Sequence, residues 1–419
     1  MTEAVIVAAA RSPIGRAVKG SLRDLRPDDL TVQIVRAALD KVPELDPHDI
    51  DDLLLGCGLP GGEAGFNMAR VVAVLLGYDF LPGATITRYC SSSLQTTRMA
   101  FHAIKAGEGQ VFISAGVETV SRASRGTSDN QPVDPDADPR DKTRNPWTNP
   151  VFGEARKRTA ARAAGGVEAW MDPRDTGELP DIYIAMGQTA ENLAQLKGIS
   201  REQMDHFGVR SQNLAEKSIA NGFWAREITP VALPDGSIVD RDDGPRAGVT
   251  YEAVAALKPV FRPDGRVTAG NCCPLNDGAA ALVIMSDAKA RALGLTPLAR
   301  IVSTGVSALS PEIMGLGPVE ASTRALAKAG MTIKDIDLVE INEAFAAQVI
   351  PSYQDLGIDL EKLNVNGGAI AVGHPFGMTG ARITATLINS LQTHDKQLGL
   401  ETMCVGGGQG MAMIIERLS

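Results

Sequence analysis

The sequence predicts an α/β protein whose sheets are largely parallel. Segments typical of buried strands alternate with segments typical of amphipathic helices over residues 4–115, and the alternation returns over 299–419. A polar, proline-rich stretch at 128–150 separates the two regions and cannot bury itself. A chain of 419 residues with 44% hydrophobic composition can bury a large core but is too long for one simple domain. We therefore expect two α/β units and a flexible surface insertion.

The first unit is predicted from apolar runs bounded by helix-stop and turn residues. Predicted strands lie at 4–10, 52–57, 84–87 and 111–115, and predicted helices at 28–41, at 68–76 and from Leu94 onward. Beyond the insertion, 154–164 is basic and helix-prone.

The second unit follows two further helices. These are expected at 186–197 and 200–221, and the second begins with Ser200 and Gln203 at the spacing of a capping box. A strand is then predicted at 277–285, ahead of the second unit. Within that unit, strands are predicted at 299–306, 338–341 and 411–415, and helices at 319–329, 344–356 and 379–391.

Composition excludes several classes of protein. Lys and Arg number 41 against 50 Asp and Glu, a net charge of −9, so no nucleic-acid or anionic-membrane partner is expected. Five cysteines without a C-x-x-C pair argue against zinc, redox or disulfide roles and favour a reducing compartment. The apolar run at 5–10 is too short for a signal peptide, and no 18-residue apolar run occurs, so we expect a cytoplasmic protein without a membrane span.

Cys90 is the first candidate for chemistry. It lies between a short β run and a predicted helix, where free backbone N–H groups and the helix dipole favour a thiolate. The alternative is a buried cysteine that only fills space.

His374 and Cys404 lie in glycine-rich stretches of the second unit. His374 stands between Gly373 and Pro375 ahead of a helix, where an imidazole can accept a proton from a cysteine or can be purely structural. Cys404 is followed by three glycines at 406–408, which predict a hairpin with uncovered N–H groups, suited to an oxyanion or carrying an incidental cysteine.

Asn342 and Glu343 stand where a strand turns into a helix. The amide of Asn342 can hold a water molecule or a carbonyl group. The carboxylate of Glu343 is placed either to complement the helix dipole or to act in the site.

Motifs along nearly the whole chain resemble those of the thiolase family. They are CSS at 90–92, MGQTAEN at 186–192, TAGN at 268–271, NDGAA at 276–280, NEAF at 342–345, GHP at 373–375 and CVGGGQG at 404–410. The resemblance implies two related α/β/α/β/α halves with mixed five-stranded sheets and an inserted loop domain that covers coenzyme A. The expected domains are 1–121 completed by 249–290, the loop domain 122–248, and 291–419.

The resemblance also implies roles for the reactive residues. Cys90 is similar to the nucleophile that becomes acylated, His374 to the base that activates it, and Cys404 to the acid/base that moves the α-proton. Asn342 would hold a water molecule that joins His374 Nε2 in polarising the thioester carbonyl. The backbone N–H groups of Cys90 and Gly406 would form the hole for the acyl-enzyme oxygen.

Four residues are expected to contact coenzyme A. Arg246 stands where the family places a cation near the nucleotide, although an ion pair with Asp242 or Asp243 is an equal alternative. Phe261 and Met186 would line the pantetheine channel, or be ordinary core, and Cys273 occupies a position where a serine often contacts pantetheine.

The activity implied is thiolysis of a 3-ketoacyl-CoA by coenzyme A, or the reverse Claisen condensation, with coenzyme A as substrate and no cofactor or metal. Ala185 replaces the histidine usual in acetoacetyl-CoA-specific biosynthetic thiolases, which favours a degradative or broader-chain enzyme. That biosynthetic enzyme and a thiolase-like acyl-CoA or lipid-binding protein without turnover are the alternatives. A homodimer or homotetramer is expected by analogy.

Overall fold

The computed structural model describes residues 2–125, 148–166 and 169–419, so most of the predicted insertion at 128–150 lies outside the described residues. The strands are β1 (Ala4–Arg11), β2 (Gly15–Arg16), β3 (Asp52–Cys57), β4 (Gly83–Ile86), β5 (Val111–Thr119), β6 (Val231–Ala232), β7 (Ile238–Val239), β8 (Asn276–Ser286), β9 (Ala299–Ala308), β10 (Leu338–Ile341), β11 (Leu398–Val405) and β12 (Gln409–Arg417). The helices are α1 (Pro27–Leu39), α2 (Met68–Leu75), α3 (Ser92–Ala106), α4 (Gly153–Ala163), α5 (Met186–Leu196), α6 (Arg201–Ala220), α7 (Phe223–Glu227), α8 (Tyr251–Ala255), α9 (Asp287–Ala292), α10 (Gly317–Ala329), α11 (Ala346–Leu356), α12 (Ala369–Val372) and α13 (Thr379–Thr393).

Local signals placed most elements within a few residues. The predicted capping box is confirmed, because Ser200 Oγ accepts from the N–H of Gln203 at 3.1 Å and Gln203 Oε1 accepts from the N–H of Ser200 at 2.8 Å. The helix predicted at 344–356 begins two residues later, because Phe345 is extended and the N–H of Ala346 donates to the Asn271 carbonyl.

The main sheet is mixed rather than largely parallel. In the first half the strand order is β4-β3-β5-β8-β1, in which β3 runs parallel to β4 and β5, whereas β8 is antiparallel to both of its neighbours. The alternation of strands and helices predicted parallel pairing. That prediction was wrong for β8, which follows the insertion in the sequence and runs antiparallel between β5 and β1. A mixed sheet agrees with the thiolase resemblance.

The second half repeats this arrangement with four strands in the order β9-β12-β11-β10. The pair β10–β11 is parallel and the other two pairs are antiparallel. Beyond β10, a single parallel bridge joins Val339 to Leu363 where a fifth strand would lie. The two halves meet where Val5 and Ile6 of β1 pair with Arg300 and Ala299 of β9.

Helices α3 and α13 lie between the halves and position the site. The central core contains Leu94 of α3 and Ile383 of α13 together with Leu282 of β8 and Met413 of β12. Helices α1 and α2 cover the other face of the first half, and α10 and α11 cover the other face of the second. The first turns of α3 and α13 are in contact, because Ser93 Oγ of α3 accepts from the N–H of Ala381 of α13 at 2.9 Å. No helix among the described residues is long and apolar enough to cross a bilayer.

Candidate active site

Cys90 lies at the start of α3, in a single 3-10 turn spanning Tyr89–Ser91. Tyr89 adopts a left-handed backbone conformation with φ 43°, which turns the chain sharply between β4 and the helix. The turn places the sulfur inside the molecule, where Cys90 is only 8% exposed.

Cys404 approaches from the second half on the hairpin predicted from its glycines. Strands β11 and β12 are antiparallel, with Val405 opposite Gln409, and Gly407 and Gly408 both have φ 79° in the connecting turn. The backbone N–H of Gly406 faces the sulfur of Cys90 and lowers the pKa of its thiol. Cys404 itself is fully buried, and burial raises the pKa of its thiol well above the usual value, with a smaller contribution from the neighbouring Cys90. The hairpin thus brings the two thiols into one site.

His374 and Asn342 complete this group. Asn342 follows the last residue of β10, and its Nδ2 lies 3.3 Å from Nε2 of His374. The His374 ring is 1% exposed, and its backbone N–H donates to Asn276 Oδ1 at 2.9 Å. Asn342 Oδ1 is buried and has no hydrogen-bond partner among the described residues. A buried acceptor without a partner points to a position for a polar molecule.

Electrostatics in the site differ from the expectation at Cys90. Burial raises the pKa of the Cys90 thiol to about 12. The N–H groups of Gly406 and of Cys90 itself stabilise the thiolate and lower the pKa, but their effect is smaller than that of burial. The predicted preference for a thiolate was wrong, because removal from water outweighs the helix terminus. Burial, aided by the charge of Arg382, lowers the pKa of His374 to about 3. The free site therefore holds a neutral thiol and a neutral imidazole that can accept a proton.

Three of the four residues expected to contact coenzyme A lie around a cluster of buried apolar residues that includes Cys404, here called the third apolar cluster after those of the first half and of the central core. Met186, Phe261 and Cys273 are partly buried and pack against this cluster. The Phe261 ring lies against Gly187, where an added Cβ would come within 2.2 Å of the ring. Burial raises the pKa of Cys273 well above its usual value, as do the charges of Cys272, Cys90 and Cys404. Cys273 is thus a third thiol close to the reactive pair.

Arg246 lies apart from this group, exposed on the surface. Its backbone N–H donates to Gln212 Oε1, and no ion pair of its side chain occurs in the described part of the chain. Asp242 instead pairs with Arg11, and Asp243 accepts from the backbone N–H groups of Arg16 and Ser21. The surface ion pair considered for Arg246 therefore does not form.

Glu343 has neither of the two roles weighed for it. It lies outside α11, and its buried carboxylate accepts from Ser211 Oγ at 2.5 Å, Asn364 Nδ2 at 2.8 Å and the N–H of Ile370 at 3.1 Å. These bonds join α6, the loop before α12, and α12. Glu343 supports the loop that leads to His374.

Glu118 was missed by the sequence reasoning. This carboxylate ends β5 and accepts from the N–H groups of Gly58, Leu59 and Gly377, at 2.8, 3.2 and 2.9 Å. Burial raises the pKa of Glu118 to about 7, although the three N–H groups act in the opposite direction and lower it. Glu118 ties the loop after His374 to the loop after β3, and because these partners lie far away in the sequence, no local pattern indicated its role.

Ser93 and Thr379 were also missed as supports of the site. Ser93 Oγ accepts from the N–H of Ala381 at 2.9 Å, and Thr379 Oγ1 lies 2.6 Å from Nδ1 of His374. The first bond joins residues 288 apart in sequence and left no local signal. No group of three or more His, Cys, Asp or Glu residues able to hold a metal ion occurs within 2–125, 148–166 or 169–419.

Comparisons with known proteins show which family the chain belongs to. The family model described as thiolase, N-terminal domain, matches residues 4–288, and the model described as thiolase, C-terminal domain, matches residues 295–417. A 3-ketoacyl-CoA thiolase of Bacillus subtilis (strain 168) is 40% identical over 429 residues, covering 99% of this chain and 100% of that protein. A 3-ketoacyl-CoA thiolase of Cronobacter sakazakii is 42% identical over 428 residues, covering 100% of both.

A solved structure gives the same result for the fold. The crystal structure of the Bacillus anthracis acetyl-CoA acetyltransferase superposes with a TM-score of 0.84 at 38% identity, covering 100% of this chain and 99% of that one. Two family models that together span nearly the whole chain, and full-length relatives at about 40% identity, show that the chain belongs to the thiolase family of acyltransferases.

Proposed function

We propose that this thiolase cleaves a 3-ketoacyl-CoA with coenzyme A, giving acetyl-CoA and an acyl-CoA two carbons shorter, and that it can run the reverse Claisen condensation. The observation that carries the proposal is the meeting of two buried thiols, Cys90 and Cys404, beside the neutral imidazole of His374. Two thiols serve the two halves of the reaction, since one holds the acyl group while the other moves protons.

In the first step Cys90 attacks the 3-keto carbon and its proton passes to Nε2 of His374. A buried thiolate and a buried imidazolium are both unfavourable here, so the proton moves as the sulfur–carbon bond forms. The N–H groups of Gly406 and Cys90, which lower the pKa of the Cys90 thiol in the free protein, receive the oxygen of the acyl group in this proposal.

Breaking of the bond between the α and 3-keto carbons leaves the electron pair on the acetyl-CoA enolate. Nε2 of His374 and a polar molecule held by Asn342 stabilise the enolate oxygen, and Cys404 gives its proton to the α-carbon. A second coenzyme A then loses its thiol proton to Cys404 and attacks the Cys90 thioester. The bond between Cys90 and the acyl group then breaks, and Cys90 takes its proton back from Nε2 of His374. Release of the shortened acyl-CoA leaves both thiols and the neutral imidazole restored.

Coenzyme A is proposed to enter beside the third apolar cluster. Met186 and Phe261 supply apolar walls for the pantetheine, and Cys273 lies close to both reactive thiols. Arg246, which has no ion-pair partner among the described residues, is available to the phosphates of the nucleotide end. Catalysis by the side chains alone, without a metal or organic cofactor, is part of the proposal.

The domain boundaries, the homodimer or homotetramer and the cytoplasmic location remain predictions. In the proposed division β8, from the segment 249–290, belongs with the first half, and its pairing with β1 and β5 supports that division.

The direct test is the rate of thiolysis measured over 3-ketoacyl-CoA substrates of increasing chain length. We expect turnover beyond the four-carbon substrate, because Ala185 stands at the position where a histidine marks acetoacetyl-CoA-specific relatives. Turnover confined to acetoacetyl-CoA would favour the biosynthetic alternative. Tight acyl-CoA binding without turnover, in the wild type as in Cys90→Ala, would favour the non-catalytic alternative and contradict the proposal.

A further inference from the structure

We propose that Thr379 is a positioning residue that holds His374 in the tautomer with hydrogen on Nδ1 and a free electron pair on Nε2. The inference rests on the proposed role of His374 as the base toward Cys90. It concerns a residue outside the four reactive side chains, five positions beyond the histidine at the first turn of α13.

Two short contacts place the Thr379 hydroxyl between the ring and the backbone. Oγ1 lies 2.6 Å from Nδ1 of His374, and it donates to the carbonyl of Pro375 at 2.7 Å. A threonine hydroxyl has one hydrogen to donate and can also accept. Since that hydrogen is directed at the Pro375 carbonyl, the contact with His374 requires the hydrogen to be on Nδ1.

The opposite arrangement is unfavourable. If Oγ1 of Thr379 donated its hydrogen to Nδ1, it would have none left for the carbonyl oxygen of Pro375. The two oxygens, 2.7 Å apart, would then face each other with lone pairs only and would repel each other. The Pro375 carbonyl also accepts from the backbone N–H of Thr379, so it is held in the first turn and cannot move away easily. Back-bonding of a threonine hydroxyl to the carbonyl four residues earlier is a common helical contact, here used to orient a side chain.

Burial of the ring strengthens the effect of Thr379. The Nδ2 group of Asn342 lies 3.3 Å from Nε2 and 3.5 Å from Nδ1, so the choice of tautomer rests on Thr379 rather than on Asn342. Thr379 is fully buried and His374 is 1% exposed, so bulk solvent does not compete with Thr379 for Nδ1. With the electron pair fixed on Nε2, the ring is ready to take the Cys90 proton without first changing tautomer.

The test compares Thr379→Val, which keeps the shape but loses the hydroxyl, with Thr379→Ser, which keeps the hydroxyl. We expect Thr379→Val to lower kcat for thiolysis on the order of 10- to 100-fold with little change in KM, and Thr379→Ser to stay within about threefold of the wild type. The matched control is Thr31→Val, since Thr31 is buried in α1 and donates to the Pro27 carbonyl at 2.6 Å but touches no histidine. It should retain full activity.

A second measurement reports the tautomer even where Thr379→Val does not fold. Nitrogen-15 spectra of histidine-labelled wild type, with His374 assigned by its loss in His374→Gln, should show a protonated Nδ1 and an unprotonated Nε2 near neutral pH. A protonated Nε2, or full kcat in folded Thr379→Val, would overturn the inference. A failure of the proposed role of His374 can be told apart from a failure of this inference. If His374 were not the base toward Cys90, His374→Gln itself would leave the rate of thiolysis unchanged.

Discussion

At the scale of single residues, the resting site is organised around neutral groups. Burial keeps Cys90 as a thiol and His374 as an imidazole, with pKa values of about 12 and about 3. The sequence placed both residues at turns that open helices, but the pKa direction of Cys90 could not be predicted from a helix terminus alone. How much water is excluded depends on contacts from the other half of the chain, such as the hairpin that carries Gly406.

The pH dependence of Cys90 reactivity follows from these pKa shifts. In the free enzyme the alkylation rate of Cys90 by iodoacetamide should rise roughly tenfold per pH unit from about pH 6 to about pH 9, because the thiolate is a growing minor species throughout. Mass spectrometry of the peptide that contains Cys90 separates it from Cys272, which is partly exposed. A rate that is constant below about pH 8 would reveal a preformed thiolate–imidazolium pair and contradict this description.

At the scale of secondary-structure elements, α3 and α13 are joined at their first turns. Met378 precedes α13 without a side-chain cap, and Ser93 of α3 accepts from the third N–H of α13 instead. No local pattern in the sequence supplies a reason for a serine at position 93. The structure supplies one, because the hydroxyl satisfies a buried donor and fixes the helix of Cys90 to the helix that follows His374.

Removal of this contact should cost stability. We expect Ser93→Ala to lower the free energy of unfolding by about 1–2 kcal/mol, since it leaves the N–H of Ala381 buried without a partner. Denaturant unfolding measures the change. Ser322→Ala is the matched control, because Ser322 is buried and its hydroxyl has no partner among the described residues, so its removal should be neutral. Equal losses in the two variants would show that Ser93 only fills space.

At the scale of the whole molecule, a buried ion pair joins the start of the chain to the segment near residue 242. Arg11, at the end of β1, is fully buried and donates from Nη1 and Nη2 to Asp242 at 2.5 and 3.1 Å. Asp242 Oδ1 also accepts from the N–H of Ile14 at 2.8 Å. Loss of Asp242 would leave Arg11 only the carboxylate of Glu227, 3.4 Å from its Nε, and would remove the two shorter bonds to this buried charge.

Asp242→Ala should therefore lower the free energy of unfolding by about 3–5 kcal/mol. The exposed pair of Arg291 and Asp287 provides the comparison, and Arg291→Ala should change stability by about 1 kcal/mol or less. Urea unfolding of both variants at the same pH would decide the matter, and a similar small loss in each would mean that water reaches Arg11 in solution.

The sequence predicted the fold more fully than the contacts that support the site. Local periodicity located most helices and strands, and glycine and proline marked the turns that carry Cys90, His374 and Cys404. The antiparallel insertion of β8 and the roles of Glu118 and Ser93 could not be predicted. Each depends on partners far away in the sequence, as with Ser93 and Ala381, which are 288 positions apart. Such pairings follow from topology rather than from local pattern.

The most direct test of the two-thiol site is exchange of the acetyl-CoA methyl hydrogens in deuterated water, followed together with acetylation of the protein. In Cys404→Ala we predict that Cys90 still becomes acetylated while the methyl group takes up no deuterium. In Cys90→Ala no acetyl group should be found on the protein. Deuterium uptake at the wild-type rate in Cys404→Ala, or acetylation of a residue other than Cys90, would contradict the account.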